Sequence, residues 1–452
     1  MLLEKLSRFV IALLSRLMLL CICFPAPTPA PTPYVQPSFS EEQKVTASNP
    51  ELDAEYGAAV SVAGDLAVVG APKTDIRSDS DATMFSAGSL YFLHRDSSTD
   101  EWREVELRTA SNAAQFSYLG CSVHMSDNGY AIAGAYGSSY PEQIGRAYIF
   151  SHTSQGKWAE VQTLLSVDDP AAHVNDRFGA DVSIDGNFAM VGAPYAGIPS
   201  KYSSTQEKEK VGAVYVYQRQ TDGSWGQVQK LFANDADEDQ FFGHSVAISG
   251  DYAVIGAPCK PHGPSPGSVY VFKRSGNEWR QVQKLIPSDG GASDEFGHRV
   301  KVSGNFAIVG APYHDAGTTS DAGAAYVFEF KGDSSEWIEA KKLDDPDPAT
   351  RSYFGMSVDI SAEGMGTAVV GKTRQNHGKG SAYVFGRNTG SWQQQAKLLA
   401  NDATEGDEFG SEVAIAGDEL LIAAHMEDGA ERQTYFNYGS VYVFQRHWHH
   451  GE

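Results

Sequence analysis

One segment recurs seven times along this 452-residue chain, and the repetition limits its folds more than any other feature. The clearest copy begins at Phe242 with FGHSVAISGDYAVIGAP, continues through a variable loop, and closes with GSVYVFKRSGNEWRQVQKL at Leu285. An aromatic–glycine dipeptide or its equivalent opens every copy, at Tyr56-Gly57, Leu119-Gly120, Phe178-Gly179, Phe242-Gly243, Phe296-Gly297, Phe354-Gly355 and Phe409-Gly410. Such regular recurrence predicts repeated copies of one supersecondary unit packed against each other.

Each copy contains four short segments rich in Val, Ile, Tyr and Phe and bounded by glycine turns, which is the pattern of β-strands. Tight turns such as Ser249-Gly250-Asp251 join the first and second segments. A lone four-stranded sheet cannot bury both apolar faces, whereas seven sheets arranged radially bury each face against the next. The sequence therefore predicts an all-β, seven-bladed β-propeller of four-stranded antiparallel blades over residues 41–446.

The two ends of the repeat region predict how the ring closes. After Tyr442-Val443-Phe444 the last copy lacks a fourth strand, while the segment from Glu42 to Ser48 resembles the fourth strands of other copies. We therefore expect this N-terminal strand to complete the last blade. Six tryptophans occupy the start of strand four and are expected to pack in the core: Trp102, Trp158, Trp225, Trp279, Trp337 and Trp392.

The repeat resembles the FG-GAP repeats of the integrin α-subunit propeller. The resemblance rests on the FG dipeptide, the GSVYVF strand, and the V-x-G-A-P close of strand two, seen at Val69–Pro72 and Val309–Pro312. Leu119-Gly120 and Ala423-Ala424-His425 depart from the pattern at single positions. The integrin repeats often hold calcium in a loop between strands one and two, but the corresponding turns here are too short for such a loop. Those sites therefore do not carry over.

The N-terminus carries Lys5 and Arg8 ahead of an apolar stretch, which favours a secretory signal peptide or a retained signal anchor over residues 1–24. An organellar transit peptide is a further alternative. Residues 25–40 form a proline-rich spacer, and residues 447–452 form a C-terminal tail. We expect the chain to be secreted or on the cell surface, with membrane contact only if the N-terminal segment stays attached.

Composition bounds the partners and the redox chemistry. With Lys+Arg 35 against Asp+Glu 57, the formal net charge is -22, which disfavours binding to nucleic acid. Cys121 and Cys259 fall in different copies, so we expect free or buried thiols in preference to a disulfide bond.

Long variable connectors and acidic loops should share one face of the propeller, and we expect a protein or glycan partner there. The residues singled out on this face are Tyr140, Tyr202, His262, His314 and Tyr435. The acidic loops leave calcium open as a cofactor, with solvated carboxylates as the alternative. The candidate ligands are Asp235, Asp237, Asp239, Asp289, Asp294, Asp402 and Asp407.

The resemblance implies a non-catalytic extracellular binding or adhesion-type module, and no recurring nucleophile–histidine pair contradicts this expectation. A carbohydrate-binding propeller is one alternative. An extracellular hydrolase or lyase is another, and it would show as carboxylates and a histidine lining one deep central pocket.

Overall fold

The computed structural model describes residues 36–77, 82–137, 145–166, 175–197, 210–259, 263–375, 377–428 and 437–448. Within these ranges the regular secondary structure consists of β-strands. In the described part of the chain, no helix is long and apolar enough to cross a membrane. The apolar N-terminal segment lies outside these residues.

The strands are numbered along the chain. They are β1 (Ser38–Val45), β2 (Ala59–Ala63), β3 (Leu66–Ala71), β4 (Ile76–Arg77), β5 (Thr83–Met84), β6 (Ser89–Arg95), β7 (Trp102–Arg108), β8 (Ser122–Ser126), β9 (Tyr130–Ala135), β10 (Arg146–His152), β11 (Trp158–Leu164), β12 (Val182–Asp185), β13 (Phe188–Ala193), β14 (Ala213–Arg219), β15 (Trp225–Leu231), β16 (Ser245–Ser249), β17 (Tyr252–Ala257), β18 (Ser268–Ser275), β19 (Glu278–Leu285), β20 (Val300–Ser303), β21 (Phe306–Ala311), β22 (Ala324–Lys331), β23 (Glu336–Asp344), β24 (Phe354–Ser361), β25 (Thr367–Lys372), β26 (Ser381–Asn388), β27 (Ser391–Leu398), β28 (Val413–Ala416), β29 (Glu419–Ala424) and β30 (Ser440–His447).

These strands form seven four-stranded antiparallel sheets, one for each copy of the repeat, together with the short β4–β5 hairpin. In blades one to six the strands follow one another along the chain, from an inner strand to an outer strand. The predicted seven-bladed propeller of four-stranded blades is confirmed.

The last blade combines both ends of the repeat region. Its strand order is β1-β30-β29-β28, with Ser38 opposite His447 and Val45 opposite Val441. The predicted closure by an N-terminal strand is confirmed, although the strand begins at Ser38 and not at Glu42. Main-chain hydrogen bonds between the two ends thus lock the ring.

The core lies between neighbouring blades, where the apolar faces of adjacent sheets meet. One such layer joins Leu231 and Trp279 with Phe242, all at most 3% exposed. The six tryptophans of strand four are buried, as the sequence predicts. Their large apolar area makes them major contributors to blade packing.

Side chains from neighbouring blades satisfy backbone groups at both edges of the sheets. On the inner edge, Ser122 Oγ accepts a hydrogen bond from Val182 N at 3.1 Å, and His124 Nδ1 accepts one from Ile184 N at 3.3 Å. On the outer edge, the Gln229 amide forms two 2.8 Å hydrogen bonds with the backbone of Trp279. These bridges protect strand edges that would otherwise be open to pairing with other chains.

The glycine of the GAP motif allows the closest approach between blades. A Cβ atom placed on Gly192 would overlap the carbonyl oxygen of Gly243, the FG glycine of the next blade. Gly243 itself has a φ of +86°, a left-handed conformation that L side chains rarely adopt. The two halves of the FG-GAP motif are therefore the two sides of one interblade contact.

Replacing Gly192 with Ala should destabilise the propeller, because the obstructing atom is backbone and cannot rotate away. We expect the free energy of unfolding to fall by about 2 to 3 kcal/mol, measured by chemical denaturation. Gly332→Ala is the matched control, since a Cβ there meets open space. Equal stability of the two variants would contradict this account of the motif.

His124 should give the propeller an acid-sensitive component of stability. Burial, together with the charge of Lys301, lowers the pKa of His124 to about 3, while Asp181 opposes the shift. A depressed pKa means that the unfolded chain binds the proton more tightly, so this stability is present above pH 6.5 and is lost as the pH falls towards 3. We expect His124→Asn to reduce the slope of unfolding free energy between pH 6 and 4 by about 1.4 kcal/mol per pH unit. Identical slopes in the variant and the wild type would refute the assignment.

Candidate active site

The turns that carry the FG dipeptides converge around one mouth of the central channel. The residue before each dipeptide has a left-handed backbone, with φ between 54° and 57°. These seven residues, called here the rim residues, are Glu55, Tyr118, Arg177, Phe241, Glu295, Tyr353 and Glu408. A non-glycine residue in this conformation is uncommon, and seven at equivalent positions identify one repeated turn.

A hydrogen bond fixes each of these turns. The backbone N–H three residues after each rim residue donates to that rim residue's carbonyl oxygen, at 2.9 to 3.1 Å. The donors form a second set just inside the mouth: Ala58, Cys121, Ala180, His244, His298, Met356 and Ser411. The repeat thus fixes the backbone at fourteen positions and leaves their side chains free to differ.

Two adjoining cavities occupy the mouth. One has a volume of about 330 Å³ and is lined by Cys121, Arg177, His244 and Glu295, among others. The other, of about 300 Å³, is lined by Tyr353, Glu408 and His425, among others. His298 and Arg299 line both cavities, so these two side chains stand at the centre of the site.

Aromatic side chains cover one side of the mouth. The rings of Tyr118 and Tyr136 stack with centroids 5.6 Å apart, and those of Tyr195 and Phe241 lie 5.1 Å apart. Arg177 lies between these pairs, with its guanidinium 4.1 Å from the Tyr195 ring centroid and 5.7 Å from that of Tyr136. These five residues, called here the aromatic crescent, offer flat apolar faces beside a positive charge.

Two histidines in the mouth have defined tautomers. His298 Nδ1 lies 3.2 Å from Glu295 Oε2, and His244 Nδ1 lies 3.1 Å from the carbonyl oxygen of His298. A carboxylate and a carbonyl oxygen can only accept, so both Nδ1 atoms carry a proton and donate it. Each neutral ring therefore keeps its lone pair on Nε2.

Burial keeps both rings uncharged at neutral pH. It lowers the pKa of His244 to about 3, with help from His298 and Arg299. It lowers the pKa of His298 to about 3 as well, and the Arg299 charge adds to the effect. The contact between His298 and Glu295 is therefore a hydrogen bond from a neutral imidazole, not an ion pair.

Arg299 closes the floor of the mouth. From blade five, its guanidinium reaches Glu412 Oε2 of blade seven at 3.2 Å and Asp181 Oδ1 of blade three at 4.0 Å. The charge of Glu412 raises the pKa of Arg299, and burial raises the pKa of Glu412. Beyond this floor, His124, Lys301 and Asp359 line a separate cavity of about 190 Å³ at the other end of the channel.

The two cysteines of the propeller are free and both line the larger cavity. Burial raises the pKa of the Cys121 thiol to about 12, so at neutral pH it is a protonated thiol and not a nucleophile. The neutral histidines, and not the Cys121 thiol, therefore carry the reactive lone pairs considered for this site.

Most of the proposed calcium ligands are engaged by other side chains. Lysines lie 2.6 to 2.7 Å from Asp235, Asp289 and Asp402. Asp294 contacts His314 Nδ1 at 2.7 Å, and Asp407 accepts hydrogen bonds from Thr404. Asp237 and Asp239 also belong to the acidic loop that contains Asp235. No group of three or more candidate ligands that could hold a metal ion occurs in the described ranges. Calcium binding by these loops stays a prediction.

The residues expected to face a partner are mostly outside the described residues: Tyr140, Tyr202, His262 and Tyr435. The fifth, His314, is buried, with its Nε2 2.9 Å from Lys342 Nζ. The sequence alone does not single out the seven rim residues, because no one residue type is common to all of them. What these residues share in the sequence is their position, directly before each FG dipeptide or its equivalent.

The sequence profile described as the FG-GAP repeat matches six segments, which together cover more than half of the chain: residues 39–92, 158–217, 225–272, 279–328, 337–385 and 392–444. The stretch between the first two segments contains Leu119-Gly120, where leucine replaces the aromatic residue. No curated protein matches the chain significantly.

Two solved structures resemble the propeller. The periplasmic gluconolactonase PpgL of Pseudomonas aeruginosa is 15% identical, with a TM-score of 0.49 over 77% of this chain and 87% of that chain. A putative 6-phosphogluconolactonase from Bacteroides uniformis ATCC 8492 is 12% identical, with a TM-score of 0.50 over 77% of this chain and 86% of that chain. At these identities the likeness shows the fold alone.

The Bacteroides uniformis structure corrects the expectation of a non-catalytic binding or adhesion-type module. It is named as a putative lactonase, which is an enzyme, so a propeller of this shape does not imply adhesion or the absence of catalysis. The inference had rested on a family resemblance and not on a site.

Proposed function

This chain belongs to the FG-GAP repeat family, and we propose that it is a hydrolase of ester or lactone bonds whose active site is the mouth of the central channel. The observation that carries the proposal is the His298 imidazole. It is neutral, donates its Nδ1 proton to Glu295 and keeps its lone pair on Nε2, and the residue lines both cavities. A positioned histidine base of this kind is the commonest general base in enzymes.

His298 would act on a water molecule. As Nε2 removes a proton, the water oxygen forms a bond to the carbonyl carbon and the electron pair moves onto the carbonyl oxygen. When the carbonyl re-forms, the bond to the alkoxy oxygen breaks and His298 returns the proton to that leaving oxygen. In a lactone the same step opens the ring, so one water is consumed and a hydroxy acid is formed.

Arg299 is suited to stabilise the negative charge on the carbonyl oxygen. Its guanidinium lines both cavities and is fixed by Glu412 and Asp181, which prevents it from reorganising during the reaction. Donors held in place in this way supply a large share of catalysis in acyl transfer. Glu295 is a positioning residue, because it sets the tautomer and orientation of the His298 ring.

His244 supplies a second neutral imidazole with a free Nε2, and its ring centroid lies 4.9 Å from that of His298. The two rings together offer two nitrogen atoms that can accept hydrogen bonds, without adding charge to the mouth. This arrangement suits the activation of a water molecule in a site where anionic products leave.

We place this activity outside the cytosol. The support is the N-terminal pattern of Lys5 and Arg8 followed by an apolar stretch, which is typical of export signals. Fractionation of cells that express the full chain, with recovery of the propeller outside the cytosolic fraction, would bear this out. Recovery in the cytosolic fraction would contradict it.

Substitution of His298 tests the proposed chemistry. We expect the wild type to hydrolyse δ-gluconolactone or 4-nitrophenyl acetate, and His298→Gln to lower kcat/KM by about 100-fold or more, because general base catalysis contributes that much. Glu295→Ala should cause a smaller loss, since the base remains but its ring is less well oriented.

His94→Gln is the matched control, because His94 is exposed on β6 and does not line either cavity. The three variants should be compared by circular dichroism to exclude unfolding. Retention of wild-type activity in a folded His298→Gln variant, or no hydrolysis by the wild type, would refute the proposal.

The pH profile gives an independent test. A general base works in its unprotonated form, and a His298 pKa of about 3 means that this form dominates throughout the neutral range. We expect kcat/KM to be constant between pH 5 and 8 and to fall only below about pH 4. A rise centred near pH 6.5 would indicate a different histidine as the base.

A further inference from the structure

Arg177 stands out at the mouth because the described residues provide it with no carboxylate partner. Arg177 is exposed, and its guanidinium lies over the rings of Tyr195 and Tyr136. A chain with a net charge of -22 has many carboxylates that could neutralise an arginine. Holding this guanidinium on aromatic rings, away from them, keeps its hydrogen-bond donors available.

The other charged side chains around the mouth are paired. Glu55 lies 2.7 Å from Lys73, and Glu408 lies 3.5 Å from Arg374. On the floor, Glu412 lies 3.2 Å from Arg299, and Glu295 accepts the hydrogen bond from His298. Among the described rim residues, Glu55 and Glu408 thus face cations and Glu295 holds the neutral His298 ring, whereas Arg177 is a cation that faces no carboxylate.

We propose that Arg177 binds an anionic group of the ligand, a carboxylate or a phosphate, and that the ligand's ring or chain packs on the aromatic crescent. This proposal rests on the proposed function in that it takes the mouth as the substrate site. It goes further by assigning the substrate class, which is an ester or lactone that carries a separate anionic group.

The chemistry of the guanidinium supports this assignment. Its planar set of N–H donors matches two oxygens of a carboxylate or phosphate at once, which gives both strength and orientation. The guanidinium is already held 4.1 Å from the centroid of the Tyr195 ring, so less freedom is lost when an anion binds.

The geometry of the cavity also fits. Arg177, His244, His298 and Arg299 all line the cavity of about 330 Å³, which places the anchoring cation and the proposed base around one space. A ligand held at one end by its anion would be directed towards the central histidines. Positioning of this kind contributes to rate by reducing the entropy lost in the reaction.

Calorimetric titration tests the anion site without any turnover. The probes are phenyl phosphate, benzoate and the uncharged benzyl alcohol, titrated into the wild type, Arg177→Gln and the control Lys273→Gln. Lys273 is also an exposed cation over a tyrosine ring, 5.4 Å from the centroid of Tyr252, but it does not line either mouth cavity.

We expect the wild type and Lys273→Gln to bind at least one anionic probe tenfold or more tightly than benzyl alcohol, and Arg177→Gln to lose that preference. Tighter binding of benzoate would assign a carboxylate, and tighter binding of phenyl phosphate would assign a phosphate. Equal affinity of the three probes for the wild type, or an unchanged anion preference in Arg177→Gln, would overturn the proposal.

The two proposals fail separately. Anion binding that depends on Arg177, in a protein that hydrolyses no ester or lactone, would refute the hydrolase and leave the anion site. Hydrolysis of 4-nitrophenyl acetate by a protein that shows no preference for the anionic probes would refute the anion site and leave the hydrolase. The His298→Gln variant should still bind the anionic probe within threefold of the wild type, because His298 does not hold the anion.

Discussion

The close contact between the GAP glycine of one blade and the FG turn of the next is the constraint on which the propeller depends. A Cβ atom on Gly192 would overlap the backbone of Gly243, so the two blades can approach this closely only because neither residue has a side chain. The approach sets the spacing at which the apolar faces interlock around Trp279 and Phe242. At the closing contact Ala423 replaces the GAP glycine, and its Cβ would lie 3.1 Å from a Cβ on Gly57.

The same turns that fix the blades also hold the rim residues over the channel. Because the turn depends on the glycine and on a backbone hydrogen bond, it places few demands on the rim side chain itself. Arg177, Glu295 and Tyr353 therefore occupy equivalent positions with different chemistry. A rigid scaffold that carries freely varied side chains is the usual basis of binding and catalytic sites.

The fold could be predicted from the sequence because its causes are local and repeated, as with the FG dipeptide, the strand-four tryptophans and the unpaired strand at the N-terminus. The site could not, because it combines residues of several blades that are far apart in the sequence. His298 and Glu295 are neighbours in sequence, but only burial shows that the imidazole is neutral. The acidic loops were predicted to hold calcium because they contain many carboxylates. In the structure, however, Asp235 and Asp289 are engaged by lysines that lie about fifty residues further along the chain.

Closure of the ring by β1 has a consequence for how the protein is made. This strand is synthesised before all the blades, but its partner β30 emerges about 400 residues later, so the contact that completes the ring must form late. Until then β1 is an open sheet edge, the kind of element that pairs with other chains and aggregates. The sequence of β1, SFSEEQKV, contains the charged residues Glu41, Glu42 and Lys44. These charges disfavour pairing of β1 with another chain before β30 has been synthesised.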